Sequence, residues 1–426
     1  MSVFDVGSVL IGNKEITLSK FNGSDPFNIY SQVRSFDIYE SLDNSTVVAD
    51  FYLADGIDLI NKYPLGGEER ISLTLQTPGL SSIKYDFLIE SIQGMKTNDQ
   101  SNLRSYMLRC VTEDFLKNAC TVYTKRYTNM SYDDAVQMVI ETDLETKVPL
   151  ITVESTKGKF DYVVNVKRPF QVIDIIKERA VSDENNLSST FVFYQDNEGY
   201  HFQTIEKLIK DRKSDVKGKQ FFYETGNRSE DYEKGINARN ILSYEVMAQG
   251  KQIEKVARGA MKNQFREFDI YRGTYFFKTE YVNSSDHKQF EATDNNNDLN
   301  SPDFNAFTSK LPALTHMTVK DSLRPEMEHN KNLHYQRPFL ERITQYGVRV
   351  RVYGDTTLRV GDVVKLNIPE IYGHSGPGRP KKSEIFSDNY IVTALKHRCD
   401  MQDKNDFQHY IVMECRKPNQ FGKELG

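Results

Sequence analysis

Tryptophan is absent from the 426 residues, and cysteine occurs only four times. Four thiols in so long a chain make no disulfide framework of the kind that staples small secreted domains. Cys110, Cys120, Cys399 and Cys415 read as reduced thiols of a protein made and assembled in a cytosol. No apolar run reaches the roughly 18 residues that a membrane-spanning helix needs. The start, Met1-Ser2-Val3-Phe4-Asp5, lacks the basic and apolar regions of an export signal. An excess of charge of one sign is missing too. With 55 basic against 60 acidic residues, the net charge of −5 gives no global field for gripping nucleic acid. The one basic run, Arg379-Pro380-Lys381-Lys382, reads as a solvated loop tip.

What is present points to a β-rich globular protein. Charged residues at 27% and hydrophobic ones at 38% exclude a disordered chain. The length exceeds a single hydrophobic core and calls for roughly two to four domains. Phe and Tyr, 25 and 24 of them, favour half-buried pleated surfaces.

Along residues 1–118 the text is that of strands. Arg70 to Gln76 alternates polar and apolar without a break, Phe36 to Glu40 and Val47 to Leu53 precede it, and Phe87-Leu88-Ile89 and Tyr106-Met107-Leu108 follow. Asp55-Gly56 and Gly66-Gly67 punctuate them as turns. Over 119–235 the period changes to that of a small α/β module. Ser131-Tyr132-Asp133-Asp134 is a capping-box pattern, Pro169 opens a second helix, and Asp196-Asn197-Glu198-Gly199 separates two aromatic strands as a hairpin turn. Residues 236–282 return to strands expected to join a second barrel. Residues 283–333 read as a loop and linker, rich in Asn and Asp between 283 and 305, and a helix is expected from Glu328 to Tyr346. From 334 to 426 the chain is strand again, with Val348 to Val352 and then Leu358 to Val364.

Two distant segments read alike. Leu73 to Pro78, Phe87-Leu88-Ile89 and Tyr106-Met107-Leu108 match Val364 to Pro369, Tyr390-Ile391-Val392 and Tyr410-Ile411-Val412. The spacing from the aromatic of the middle strand to the tyrosine of the last is 19 residues in one and 20 in the other. The fold class that follows is α+β, mainly β: two similar antiparallel β-barrels with an inserted α/β module.

A search for chemistry finds no site. Phosphate-binding, dinucleotide, zinc-protease and nucleophile-elbow patterns are all missing. Gly373 to Gly378 follows no buried strand and opens no helix, so it reads as a plain loop. His397 and Cys399 share a strand face, with His409 and Cys415 beyond, yet no second metal-ligand pair accompanies them. Glu68 and Glu69 are neighbours in a turn rather than opposed across a groove, and read as surface charges pairing with Arg70 or with another subunit. No catalytic, cofactor or metal residue is assigned, and the expectation is a non-enzymatic structural subunit.

Phe36 to Leu42, Leu53 to Gly56 and Pro64 to Ile71 resemble the first barrel of baseplate hub proteins of contractile-tailed phages. Ser131 to Ala135, Arg168-Pro169-Phe170 and Phe191 to Phe202 resemble that family's inserted module. Val352 to Asp355, Leu358 to Val364 and Asn389 to Val392 resemble its second barrel, and the hub portion of type VI secretion spike proteins is related. The resemblance implies a homotrimer whose six barrels form a pseudo-sixfold ring between the hexameric tail tube and a trimeric central spike. It implies contacts with tube, spike and other baseplate proteins, passage of DNA or a tape-measure protein, a place in the virion, and no cofactor. A tube-initiator ring of a non-contractile tail is the alternative, and a cell-wall-degrading tail enzyme a more distant one.

Overall fold

A computed structural model describes residues 8–20, 23–63, 65–78, 80–98, 103–184, 188–223, 239–248, 262–269, 271–281, 314–320, 346–374, 380–383, 385–403 and 406–417, with a few single positions between 336 and 344. The alternation at Arg70–Gln76 sorts its side chains as a strand requires. Ile71, Leu73 and Leu75 are buried, and the residues between them are half-exposed.

Six strands wall a first barrel in the order Val33–Ser41, Val48–Asp55, Leu103–Val111, Ser82–Asn98, Arg70–Gln76, Ser8–Ser19. Two strands from the far end of the chain close it. Asp388–Asp403 pairs with Val33–Ser41, and Asp406–Arg416 pairs with Ser8 and Val9. The core holds Phe36, Phe51 and Phe87, and the closing strands contribute Cys399 and Phe407 to it.

The second barrel repeats that strand order. It runs Ile241–Ala248, Gly347–Tyr353, Asp406–Arg416, Asp388–Asp403, Val363–Asn367, Gln220–Phe222, and one bridge from Phe222 to Asn240 joins its ends. The two segments that read alike in the sequence occupy matching staves. The last stave differs in direction: Ser8–Ser19 lies antiparallel to its neighbour, whereas Gln220–Phe222 lies parallel. The hairpin of Asp388–Asp403 and Asp406–Arg416 therefore belongs to both barrels. Its residues 388–391 pair with 363–366, and 394–400 pair with 35–41.

Between the barrels' strands lies the α/β module. Ser131 caps its helix by accepting the Asp134 amide at 3.2 Å, and Pro169 opens the helix Pro169–Arg179. Phe191–Gln195 and Tyr200–Thr204 form the expected hairpin, with Leu150–Val153 added in parallel. A small cluster, including Leu42, Tyr194, Leu208 and Ile391, packs the module against both barrels.

Three expectations differ from what is seen. Leu358 to Asp362 is a turn rather than a strand, because Asp362 accepts the Arg359 amide at 2.9 Å and Gly361 adopts a left-handed φ of 85°. A strand, Leu314–Lys320, lies in the stretch read as linker. It pairs with Lys262–Asp269, which pairs with Thr274–Tyr281, so these form a separate three-stranded sheet, and among the described residues of 236–282 the barrel takes Ile241–Ala248 and the bridge at Asn240. The loop at 283–305 lies outside the described residues, as does most of the helix expected at 328–346.

Past the second strand of the shared hairpin, Lys417 reaches back to the start of the first. Its side chain is 0% exposed, pairs with Asp388 at 2.9 Å and donates to the Ile385 carbonyl. Lys417→Met strands a buried carboxylate and should cost about 3–5 kcal/mol in urea unfolding. The double change with Asp388→Asn should cost clearly less.

Candidate functional site at the barrel junction

The shared hairpin passes from one core to the other, and its side chains change in step. Leu395 and Met413 lie in the second core, Cys399 and Phe407 in the first. Between them, one on each strand, sit His397 and His409. Both are 0% exposed, with Nδ1 of His397 3.0 Å from Nε2 of His409 and the rings stacked at 5.1 Å. Burial pushes the pKa of His397 down to about 4 and that of His409 well below the usual range, where the neighbouring ring adds to the effect. Two neutral rings share one N–H···N bond, and the outer nitrogen of each, Nε2 of His397 and Nδ1 of His409, has no partner among the described residues. Gly354 lies flat against the His409 ring. A Cβ there would come within 2.0 Å of Nδ1, so this position is glycine for want of space.

On the first-barrel side the Tyr85 ring stands 6.5 Å from His397, and its hydroxyl donates to Oε1 of Glu40 at 3.0 Å. Burial pushes the Glu40 carboxyl up to about 8, and the nearby Asp196 adds to this against the Tyr85 bond and Arg359. Asp196 belongs to the module's hairpin turn. Burial raises its pKa, but His201 at 3.0 Å and the Glu198 and Gly199 amides outweigh that and hold it below the usual range. His201 stacks on Tyr194 and contacts the Thr152 hydroxyl at 3.1 Å. On the second-barrel side Asp362, fully buried, is held by Lys219 at 2.7 Å and Arg212 at 3.5 Å, and Arg359 pairs with Glu198. Three cores thus meet at a buried, charged joint. A cleft of about 400 Å³ between the first barrel and the module opens beside it, lined by Tyr85, Phe87, Asp114, Lys147, Asp196 and Glu198 among others.

The structure brings together one pair of the ligand-type residues singled out in the sequence, His397 and His409. Cys399 and Cys415 lie apart in the first and second cores. Among the described residues no group of three His, Cys, Asp or Glu is placed to hold a metal ion. Glu68 is exposed as expected, but Glu69 is not a surface charge. It is 2% exposed and accepts the Gly66, Gly67 and Glu68 amides, so it organises the glycine turn. Arg70 pairs instead with Glu113 at 3.0 Å. Pro380–Lys382 of the basic run pairs with Pro369–His374 in a small ribbon, and 375–379 lie outside the described residues. Sequence reasoning missed Glu40, although a signal existed: it follows Phe36 and Ile38 at period two, an acid in an inward place. Asp196, Asp362 and Gly354 gave no such signal beyond their turns.

Gly354→Ala should cost about 1–3 kcal/mol or more through overpacking against His409, read as a fall in the denaturation midpoint. Stability should also depend on pH with two opposed signs. Glu40 keeps its proton in the fold up to about 8 against 4.5 in the unfolded chain. Its contribution is full below about 4.5 and declines as pH rises toward 8. His397 is neutral in the fold down to about 4 against 6.5 unfolded, so its contribution is full above 6.5 and is lost as pH falls toward 4. Urea midpoints across this range should flatten on the alkaline side in Glu40→Gln and on the acid side in the double change His397→Leu, His409→Leu. An unchanged alkaline slope in Glu40→Gln would rule out a protonated Glu40.

No family model matches the chain. A "Probable baseplate hub protein gp334" of Vibrio phage KVP40 is 21% identical over 408 residues, covering 88% of each chain. Among solved structures, the 43 kDa tail protein of prophage MuSo2 from Shewanella oneidensis matches 96% of this chain and 99% of its own at a TM-score of 0.54 and 9% identity. A tail protein from Neisseria meningitidis MC58 matches 95% and 96% at 0.53 and 8% identity. Over most of its length, then, the chain resembles baseplate hub proteins of contractile-tailed phages, and its fold is one found in phage tail proteins.

Proposed function

We propose that the chain is a structural subunit of a phage tail baseplate, the hub, and that three copies close into a ring. The observation that carries this reading is the pair of barrels with one strand order in a single chain, joined through a shared hairpin. Three such chains present six barrels, so one face of the ring fits a sixfold tail tube and the other a threefold spike. Two similar barrels held at one fixed relation are what such an adaptor needs, since the pseudo-sixfold spacing must be set inside each subunit. A polar lumen lets DNA or a tape-measure protein pass. The partners on this reading are further copies, a trimeric central spike, tail tube proteins and other baseplate proteins, in the virion after assembly in the host cytoplasm. The buried joint is structural, not catalytic, on the same reading.

Light scattering or native mass spectrometry of the purified chain at micromolar concentration should give a mass near three times 49.2 kDa, and images of the particle should show six similar lobes. A strictly monomeric protein, even with its spike partner present, would overturn the reading.

A further inference from the structure

The hairpin that the two barrels share has a counterpart inside the first barrel. Matched by their hydrogen-bonded partners, Ser82–Asn98 with Leu103–Val111 repeats Asp388–Asp403 with Asp406–Arg416. Ile89 pairs with Cys110 as Val392 pairs with Cys415, and both ladders skip a residue just after, before Ser91 and Ala394. This match falls one residue away from the one that aligns Tyr106 with Tyr410. The neighbours on the other side agree with it. Ile89 donates its amide to the Glu69 carbonyl as Val392 does to that of Asp362, and the pairing with the adjoining strand ends at Leu88 and at Ile391.

Beyond that point the two hairpins differ. In Asp388–Asp403 the freed edge of 394–400 is taken up at once by 35–41 of the first barrel. In Ser82–Asn98 the corresponding edge, from Ser91 to Asn98, pairs with nothing among the described residues. Met95, 52% exposed, stands out on it with Lys96 and Thr97.

The second barrel has the matching gap. Its strand Ile241–Ala248 holds the place that Val33–Ser41 holds in the first, since Cys415–Val348–Val246 runs across the strands as Cys110–Ala49–Ile38 does. Both strands shift register at the same step, after Ile241 and after Val33. Val33–Ser41 is covered along its second edge by the shared hairpin. The second edge of Ile241–Ala248 has no partner among the described residues beyond the bridge at Asn240 that precedes it. The difference shows in the side chains: Ile38 is 0% exposed, and Val246 in the equivalent place is 38% exposed. Unpaired backbone groups beside an uncovered apolar residue are a template for another strand.

We propose that Ser91–Asn98 of one copy pairs antiparallel with Ile241–Ala248 of the next, repeating between subunits the joint that each chain makes within itself. The inference rests on the ring reading above and names its contact. The chain's own joint selects the occupant, because in the first barrel the equivalent edge is filled by the equivalent hairpin. The same copy cannot supply it. Outgoing hairpin and receiving strand stand three places apart in each barrel's order of six, on opposite sides, so the two open edges lie at opposite ends of the two-barrel unit. The register follows from the same match. Within the chain Arg398 lies between Tyr410 and Asp37. The equivalent of Tyr410 is Ser105, whose partner is Lys96, and the equivalent of Asp37 is Glu245. Lys96 of one copy therefore faces Glu245 of the next, and Met95 covers Val246. A contact between two different surfaces is heterologous, the kind that closes a ring when its rotation allows.

The test uses the full-length chain at micromolar concentration with its exposed thiol removed by Cys120→Ser. Lys96→Cys together with Glu245→Cys should give bands of two and three linked chains on a denaturing gel after mild oxidation. Moving the first thiol to Lys84→Cys, an exposed position on the paired half of the same strand, should cut that linking at least tenfold. Met95→Asp with Val246→Asp should weaken association at least tenfold in native mass spectrometry, folding being checked by circular dichroism. A bond formed only within one chain, or equal linking from Lys84→Cys, overturns the proposed pairing. An oligomer that neither links nor weakens in these variants overturns the contact but not the ring. A monomeric wild type overturns both ring and contact.

Discussion

Two hydrophobic cores cannot both be completed here without the same stretch of backbone. Each barrel lacks staves that the hairpin of Asp388–Asp403 and Asp406–Arg416 supplies, so neither closes alone. An unclosed barrel exposes unpaired strand edges, which is costly and invites wrong pairing. The alternation of side chains along the hairpin lets it serve both cores. Apolar residues face each core at either end, and the two histidines fall where neither core reaches. Their mutual bond leaves two buried nitrogens without a partner among the described residues, an arrangement that specifies a position more than it stabilises one.

The charges at the joint follow the same logic. Buried ion pairs add little net stability, because desolvation offsets attraction, but they strongly penalise misplacement. Asp362 with Lys219 and Arg212 is such a pair and ties the module to the second barrel, while the half-exposed Glu198 reaches Arg359 at the rim and Asp196 contacts His201 within the module. Glu40 stands against this group from the first barrel, protonated so that it adds no further negative charge at neutral pH. Apolar packing through Leu42, Tyr194 and Ile391 supplies the attraction, and the polar groups fix the angle.

Much of this was legible in the residues. Arg70–Gln76 shows its strand by strict alternation, Ser131 and Pro169 announce their helices, and the likeness of the two strand triplets leads to two barrels of one strand order. The rest depended on distance in space. Nothing near Leu314–Lys320 says that it pairs with Lys262–Asp269, since a parallel partner some fifty residues away leaves no local mark. Leu358 to Val364 alternates well enough for a strand, but Gly361 and Asp362 use local bonds to turn the chain instead. Glu69 looked like a surface charge because a pair of acids beside glycines usually is one. Only the fold shows three backbone amides converging on it. The sharing of one hairpin by two barrels is a property of topology, and no single segment encodes it.

The longer strand of that hairpin has 16 residues, which at roughly 3.3 Å each spans about 50 Å. It lies across both barrels like a splint. A load that pulls one barrel away along its length meets a ladder of hydrogen bonds stretched side by side, all of which must shear together. A load that peeled the strands from one end would break them singly. The protein is therefore stiff in one direction and comparatively compliant in another, and the direction of stiffness is written in the course of a single strand.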